Sequence, residues 1–597
     1  VSEFRLLFKP QDIEIKVSQG ISILEAQSKA GLKPDAPCGG QGKCGKCLVE
    51  IIKGETRETV KSCATYVDAD MVIDTASKFN NHKILIQGIE RKFEVDPIIK
   101  TIDVKVEKCK VGDNSSDWKR LKDAVAINTN IDESSIPVNV STVLNLSKFL
   151  NKNNYEVNVV MSENEIIDLR LIEESWYTVA FDIGTTTIVG YLLDGKTGEE
   201  LCVVSMLNPQ SKFGADVIMR SHYAIEHGVH NLSSLIRKAL NDLIEESVNK
   251  SGISKSKIYL ISIVGNTCMH HLLLGISPQS LVHSPYNASL SEGLILNARD
   301  YDITINNNGK LIMLPNIAGF VGADTVGVLI ATEFHKLDAL TLVIDIGTNG
   351  ELVMGNKDRM ITCSTAAGPA FEGAKIQCGM RGAEGAIDHV GFNADKLEYT
   401  TIKGAKPIGI CGSGLIDIIA NLFKVGIIDD SGKLCSAREI EGSSKIDNCN
   451  RIVEIDGMKC FVIVFENESG NGEKIFLSQK DIREVQLAKG AISAGINLMA
   501  EKLEIELSDI QQVFIAGAFG NYMSPQSACD IGLIPSCLRN KIKPIGNAAG
   551  QGSKICALNK YEYKTSLKIA RDIEFLELAT NPNFQEYFID ELEFPQI

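Results

Sequence analysis

Two stretches of the chain are near copies of each other: "YTVAFDIGTTTIVGYLLD", residues 177 to 194, and "LTLVIDIGTNGELVMG", residues 340 to 355. Each is an apolar run of β character that breaks at Asp-Ile-Gly-Thr and resumes as a second strand. The pattern predicts a hairpin whose turn carries Asp182, Gly184 and Thr185 in the first copy and Asp345, Gly347 and Thr348 in the second. One such turn is common for structural reasons alone. Two of them, about one subdomain apart, predict a pair of related α/β units. The turn presents backbone N–H groups and hydroxyls with no side chain in the way, which suits a phosphate, and an aspartate at the strand end suits Mg2+ held through water. No G-x-x-x-x-G-K-[ST] occurs, so this is not a Walker A loop.

Further segments fall in a telling order around the two turns. "GFVGADTVGVLIAT" precedes the second as a helix of small residues, and "FIAGAFGNYMSP" and "IGNAAGQGSKICAL" follow it. "ICGSGLIDIIANLF", residues 410 to 423, is a glycine turn opening an apolar helix; its free N–H groups either meet phosphate or ribose, or the glycines serve tight packing. Together these resemble the phosphate, connecting-helix and adenosine motifs of the superfamily of actin, sugar kinases and heat-shock chaperone ATPases. The resemblance implies two lobes that close over ATP and Mg2+, hinged where two small-residue helices cross. It implies catalytic roles for Asp182 and Asp345, and it places Asp324 where chaperone relatives hold an acid near the attacking water; a solvated hinge acid is the alternative. It also implies nucleotide contacts from Gly184, Thr185, Thr186, Thr187, Gly347, Thr348, Asn349, Gly350, Gly412, Ser413, Gly517, Ala518, Phe519 and Gly520.

Near the amino end, "PCGGQGKCGKCLVE" and "KSCATYV" place Cys38, Cys44, Cys47 and Cys63 in the spacing C-x5-C-x2-C-x15-C. Four thiolates are what a [2Fe-2S] cluster needs, and a glycine-rich loop lets backbone N–H groups turn toward the sulfurs. A zinc knuckle would be expected to show paired C-x2-C units, and only one is present. Around the loop, "EFRLLF" and "DIEIKV" alternate as a hairpin, "SILEAQSKAG" has helical spacing, and "CLVEIIKGE" and "MVIDT" supply strands. A small sheet gripping a helix resembles the plant-type ferredoxin fold over residues 1–80. Two departures make Cys63 the least secure ligand: the first gap is one residue longer than the plant pattern, and Cys63 follows sooner than the fourth ligand usually does.

The chain has 597 residues, too many for one core. The expected organisation is multidomain α/β and α+β: an N-terminal β-grasp [2Fe-2S] ferredoxin over 1–80, a linker over 81–99, a small α+β middle domain over 100–171 and a two-lobed actin-like ATPase over 172–597. Of the sixteen cysteines, the twelve outside the cluster, among them Cys109, Cys202 and Cys268, are expected to be buried apolar residues in a reducing compartment. In "GNTCMHHLLLG", Cys268, His270 and His271 lie close, but adjacent histidines do not share a helix face, so packing is expected over a shared metal. A net charge of −15 argues against nucleic acid. Residues 1–80 balance 11 basic against 11 acidic groups, so the acidity lies downstream, partly in the tail "FQEYFIDELEFPQI", which is expected to dock on its own domain. No apolar run suggests a membrane span, and "VSEFRLLFKPQ" has no secretory pattern, so the cytoplasm is the expected compartment.

An electron carrier and a hinged ATPase on one chain resemble the ATP-dependent reductive activators of corrinoid proteins, along the whole length. "DIGTTT", "GNTCMHHLLLG", "LPNIAGFVGADTVG", "DIGTNGE", "AGAFGNY" and "FQEYFIDELEFP" carry the likeness. The resemblance implies one-electron reduction of inactive Co(II) to Co(I) for methyl transfer. A plant-type cluster sits near ~−400 mV, and for one electron each ~59 mV of shortfall costs a factor of about ten, so nucleotide energy is needed. The implied partners are a corrinoid protein of a methyltransferase system and an upstream low-potential donor; a homodimer stays open. A ferredoxin-fused small-molecule kinase, an activator of a radical dehydratase and a redox-sensing binding module are the rival readings.

Overall fold

The computed structural model describes residues 3–9, 12–32, 47–53, 56–75, 91–129, 131–347, 349–393, 396–436, 439, 449–520 and 522–596. Cys38, Cys44 and Thr348 lie outside the described residues, as do the side chains of Ala518 and Phe519.

The amino-terminal unit is a five-stranded mixed sheet, β1 (Glu3–Lys9), β2 (Ile13–Ser18), β3 (Leu48–Lys53), β4 (Thr56–Lys61) and β5 (Met71–Asp74), in the order β2-β1-β5-β3-β4. Parallel pairing of β1 with β5 brings the first and last strands to the centre. Helix α1 (Ile23–Lys29), opened by Ser22 accepting from the Glu25 N–H, lays Ile23 and Ala26 against Leu6, Phe8, Val49, Ile51 and Ile73. Strand β4 was not foreseen: as an edge strand its "TRETVK" is polar and offers no core face to read.

Residues 91–98 form a clip on the carboxy-terminal half of the chain, described below. The next unit has a three-stranded sheet of β6 (Ile99–Lys105), β7 (Glu156–Ser162) and β8 (Glu165–Arg170). Helix α2 (Asp117–Thr129) covers it with Trp118, Leu121 and Val125, which join Val104, Val157 and Val159 in a separate core. Strand β8 docks this unit by polar contacts: Tyr259 Oη donates to Asp168 at 2.6 Å, Asn306 Nδ2 to the same carboxylate oxygen at 2.9 Å, and Lys310 pairs with Glu165 at 2.8 Å.

The sequence duplication reappears as a duplicated topology. The first lobe's sheet contains β9 (Tyr177–Ile183), β10 (Thr187–Asp194), β11 (Glu200–Leu207), β12 (Ile258–Gly265), β13 (Leu294–Asn297) and β14 (Lys310–Met313), in the order β11-β10-β9-β12-β14-β13. In the second lobe, β15 (Thr341–Ile346), β16 (Gly350–Gly355) and β17 (Met360–Thr365) make the same antiparallel meander. Two small sheets then intervene, one of β18 (Ala386–Asn393), β19 (Lys396–Thr401) and β20 (Gly409–Ile410), the other of β21 (Ile452–Ile455), β22 (Met458–Val464) and β23 (Ile475–Ser478). Strands β24 (Gln512–Ala516), β25 (Ile542–Gly546) and β26 (Glu574–Phe575) complete the order β25-β24-β15-β16-β17-β26. In each lobe the strand before Asp-Ile-Gly-Thr pairs antiparallel with its hairpin partner and parallel with a later strand. Because helices cover both faces of these central strands, they read as continuous apolar runs, and Val179, Phe181, Ile261, Leu342, Ile344 and Val513 are all buried.

Helix α3 (Thr267–Leu274) packs in the first lobe, while α4 (Ala323–Ala331) leads into the second. The second lobe holds α5 (Gly412–Lys424) and α6 (Gln479–Leu503), and α7 (Ala548–Leu558) and α8 (Lys560–Asp572) follow. Helices α4 and α7 cross on glycines: a Cβ on Gly552 would lie 2.1 Å from the Gly327 carbonyl oxygen, and one on Gly327 would lie 2.8 Å from that of Ala549. Helix α9 (Pro582–Asp590) and the tail lie along α6, where Gln486 donates to the Leu592 carbonyl at 2.8 Å, the fully buried Lys489 donates to that of Glu593, and Phe594 is buried. Burial pushes the Lys489 ammonium down to about 8.

The clip is the path by which the chain arrives from the first unit. Arg91, 7% exposed, donates to the Ile330 carbonyl at the end of α4 at 2.7 Å and pairs with Glu562 on α8 and with Glu333 at 3.2 Å. Asp96 N–H donates to the Leu558 carbonyl and Lys560 N–H to that of Asp96, both at 2.9 Å. Asn559 Nδ2 donates to the Glu94 carbonyl at 2.8 Å. This short segment is thereby fastened to the far ends of both crossing helices.

Among the described residues no helix is long and apolar enough to cross a membrane. The scattered cysteines are not all interior: Cys363, Cys411 and Cys556 are buried, but Cys109 and Cys537 are exposed. Cys109 sits in a polar loop with no apolar periodicity, so nothing packs over it.

Candidate functional site

Between the lobes lies a cleft of about 320 Å³, lined by both Asp-Ile-Gly-Thr turns, the start of α5, Gly517 and the start of α7. The first turn closes through the Gly184 N–H, which donates to the Thr187 carbonyl at 2.9 Å, leaving no room for a side chain: a Cβ on Gly184 would lie 2.8 Å from that oxygen. The second closes in the same way, Gly347 N–H to the Asn349 carbonyl at 2.9 Å. Gly517 has φ +85°, and a Cβ there would press within 2.9 Å of Asp345 Oδ1.

The first turn is braced from behind by residues distant in sequence. Asn208 Nδ2 donates to the Gly184 carbonyl and Asn266 Nδ2 to Thr185 Oγ1, both at 2.9 Å. Arg220, fully buried, donates to the carbonyls of Thr185 and of Gly214. Toward the cleft, Thr186 Oγ1 donates to Glu372 of the second lobe at 3.0 Å.

Four carboxylates gather at the base of the cleft: Asp182 and Asp345 at the ends of β9 and β15, Asp324 in the first turn of α4, and Glu351 on β16. Burial pushes Asp182 up to about 7, with Asn547 opposing and Asp324 adding to the rise. Burial, then Asp324 and Asp182, push Asp345 up to about 7, and burial raises Asp324 to about 6. Glu351 is held well above the usual carboxylate range by burial and by Asp324 and Asp345. Acids crowded out of water in this way fit a site for a divalent cation, whose charge removes the repulsion. Mg2+ keeps several waters and takes its remaining ligands from phosphate oxygens, so it needs only one or two of these carboxylates. Asn547 caps α7 through the Gly550 N–H at 2.8 Å and turns its amide to Asp182 at 2.9 Å and Tyr191 Oη at 3.2 Å, linking the first strand of one lobe to a crossing helix.

Of the residues read from sequence, Asp182, Gly184, Thr185, Thr186, Thr187, Asp324, Asp345, Gly347, Asn349, Gly412, Ser413 and Gly517 line this cleft. Gly350 and Gly520 lie outside the lining and serve packing: a Cβ would meet Thr365 Oγ1 at 2.6 Å in the first case and Ile515 Cγ2 at 2.2 Å in the second. Asn266, Glu351, Glu372, Arg381 and Asn547 also line the cleft and were not singled out in the sequence. Glu351 and Asn547 stand inside motifs already quoted, where an acid one residue past "DIGTNG" and a helix-capping asparagine were the available signals.

Cys268, His270 and His271 on α3 are buried. Cys268 Sγ meets Ser221 Oγ at 3.4 Å. His271 is committed at both ring nitrogens, to the Thr267 carbonyl at 2.8 Å and the Ser289 N–H at 3.1 Å. Burial, with His271 beside it, pushes His270 down to about 3.

In the first unit, Cys47 and Cys63 are buried with their Sγ atoms 3.0 Å apart, and the Ser62 N–H donates to the Cys47 carbonyl at 2.7 Å. The separation exceeds a disulfide's ~2.05 Å. Two thiols held side by side next to the strands fit a pair of ligands to a [2Fe-2S] cluster.

Four family models match the chain in succession: the 2Fe-2S iron-sulfur cluster binding domain over residues 7–76, the RACo linker region over 88–173, the RACo middle region over 177–337, and the C-terminal domain of RACo, the ASKHA domain, over 339–597. The chain is 35% identical over 590 residues to the corrinoid activation enzyme RamQ of Eubacterium limosum, covering 98% of each. It is 25% identical over 452 residues to the [Co(II) methylated amine-specific corrinoid protein] reductase of Methanosarcina barkeri, covering 70% of this chain and 77% of that one. Among solved structures, a reductive activator for corrinoid, iron-sulfur protein superposes with a TM-score of 0.76 at 33% identity, covering 99% of this chain and 98% of the other.

Proposed function

The chain belongs to the family of reductive activators of corrinoid proteins, and from that premise we propose how its residues divide the work. It is an ATP-dependent iron-sulfur enzyme that acts on a corrinoid protein, returning inactive Co(II) to Co(I). The substrate cobalt gains one electron, and ATP gains water and yields ADP and phosphate. When bound, the [2Fe-2S] cluster supplies a one-electron carrier of low potential. Cys47 and Cys63 would hold it together with Cys38 and Cys44.

In the cleft, the Gly184–Thr187 and Gly347–Gly350 turns direct N–H groups and hydroxyls at the phosphates of ATP. Asp182 and Asp345 would hold Mg2+, whose charge would offset that of the phosphates. Asp324, with an affinity for protons near neutrality, orients the attacking water and takes up its proton. The supporting observation is that Asp182 and Asp345 come from different lobes and meet beside the crossing of α4 and α7. A ligand that bridges the two acids favours the closed arrangement, and its hydrolysis releases it.

The corrinoid partner belongs to a methyltransferase system, and a low-potential donor stands upstream. Mixing the protein with a Co(II) corrinoid protein and a reductant tests the reading: Co(I) absorption should appear with Mg·ATP and fall to background when nucleotide is withheld. Equal rates in both mixtures would overturn it.

A further inference from the structure

The cleft is lined by five acidic residues and, among the described residues, by a single cation. Asp182, Asp324, Asp345, Glu351 and Glu372 face it, and Arg381 is the one basic side chain among the described lining residues. Arg220, the other nearby arginine, is consumed in bracing the first turn. Arg381 has no hydrogen-bond or ion-pair partner among the described residues. It is half-exposed, and it is close enough to Arg220 for the two charges to oppose each other. A guanidinium left unpaired in a cleft so rich in carboxylates points to an anionic ligand that it is kept for.

The backbone beneath Arg381 is fixed. Gly379 bridges to Ile410, Met380 N–H donates to the Ile410 carbonyl and Ile410 N–H to that of Cys378, both at 2.8 Å, and Gly385 N–H donates to the Ile402 carbonyl at 3.2 Å. The same Ile410 leads directly into α5, whose first residues Cys411, Gly412 and Ser413 line the cleft. No side chain caps that thirteen-residue helix, so its first N–H groups remain available. A cationic side chain and the positive end of a helix are thus held by one strand on the second lobe, while Asp182 and Asn266 reach in from the first.

We infer that Arg381 is the residue by which the cleft distinguishes a nucleoside triphosphate from a diphosphate, its guanidinium pairing with the terminal phosphate. The inference rests on the reading of this cleft as the ATP site and adds a specificity element to it. Mg·ATP carries one more negative charge than Mg·ADP, and the acids spent on the metal cannot neutralise it. A fork of planar donors can, and bidentate pairing of arginine with phosphate is among the stronger charge-assisted contacts. The device matters to the reaction because a cleft that held both nucleotides equally well would not change state on hydrolysis.

Calorimetric titration of the full chain with Mg2+ and either ADP or the non-hydrolysable imido analogue of ATP tests this. Arg381→Ala should weaken the imido analogue by about tenfold or more, the usual scale for losing a hydrogen bond to a charged group, and leave ADP within about twofold. Arg381→Lys, which keeps the charge but not the planar fork, should restore part of the preference and controls for folding. Equal losses on both nucleotides, or none on either, would overturn the inference while leaving the ATP site standing. A wild-type chain that binds neither nucleotide would overturn both.

Discussion

Gly552 on α7 and Gly327 on α4 touch backbone to backbone, so closely that one methyl group on Gly552 would stand 2.1 Å from the other's carbonyl oxygen. The two helices join the lobes; at this point they meet backbone on backbone, while Val326, Ile330, Ile555 and Cys556 share the core around it. Small residues at the closest approach leave little to unlock there, which suits the small sliding of packed helices in a shear motion.

Gly552→Ala should therefore damage motion and stability together. Overpacking at such a site costs about 1–3 kcal/mol, measurable as a lower Tm. The expected signature is ATP-dependent Co(I) formation lost out of proportion to that change. A variant with a lower Tm and undiminished Co(I) formation would show that the crossing does not move.

Asp182→Asn and Asp345→Asn should each lower ATPase activity by about a hundredfold or more, the scale of removing one preorganised electrostatic contact. The visible absorption of the iron-sulfur unit should be unchanged, since Cys47 and Cys63 lie in the first unit, which has a core of its own. Each substitution also removes one member of a crowded acidic set, so the metal-free variant should melt higher than the wild type, a case of activity held at the expense of stability.

The same acids fix a pH dependence. Asp182 and Asp345 titrate near 7 in the fold against an ordinary aspartate value of 3.8, so between those values the folded chain binds more protons than the unfolded one. Their contribution to stability is complete below about 4 and is lost as pH rises through 7. Metal-free Tm should carry this fall, and the fall should be smaller in Asp182→Asn. Mg·ATP, which needs the acids ionised, should raise Tm more at pH 8 than at pH 6. A ligand-induced shift independent of pH would count against a metal-linked site.

Cys63→Ser should abolish Co(I) formation while ATP hydrolysis persists. The Sγ contact with Cys47 at 3.0 Å supports the proposal that Cys63 is a ligand in spite of its unusual spacing. Loss of both activities together would point to collapse of the first unit into the rest of the chain.

The parts of this molecule legible in its sequence are those built from local pattern. The two hairpins, the small-residue helices and the α1 grip of the first sheet all announce themselves through period, glycine and capping residues. What escaped is long-range. Asn208, Arg220 and Asn266 support one turn from three other elements, and nothing near them in sequence says so. Gly350 and Gly520 sit inside the right motifs yet answer to Thr365 and Ile515, because a glycine demanded by packing and one demanded by a ligand look alike in sequence. Strand β8 was invisible for another reason: part of its polar face is spent on Tyr259, Asn306 and Lys310, so its alternation reads as surface.

Arg91 carries the last consequence. It moors the peptide to Ile330 at the end of α4 and to Glu562 on α8, the helix that directly follows α7. Whatever course residues 76–90 follow, covalent geometry limits the distance from Thr75 to Arg91 to about 55 Å. The iron-sulfur unit therefore stays within that radius of a post planted beside the ATPase's own crossing helices, and any swing of those helices carries the post with it.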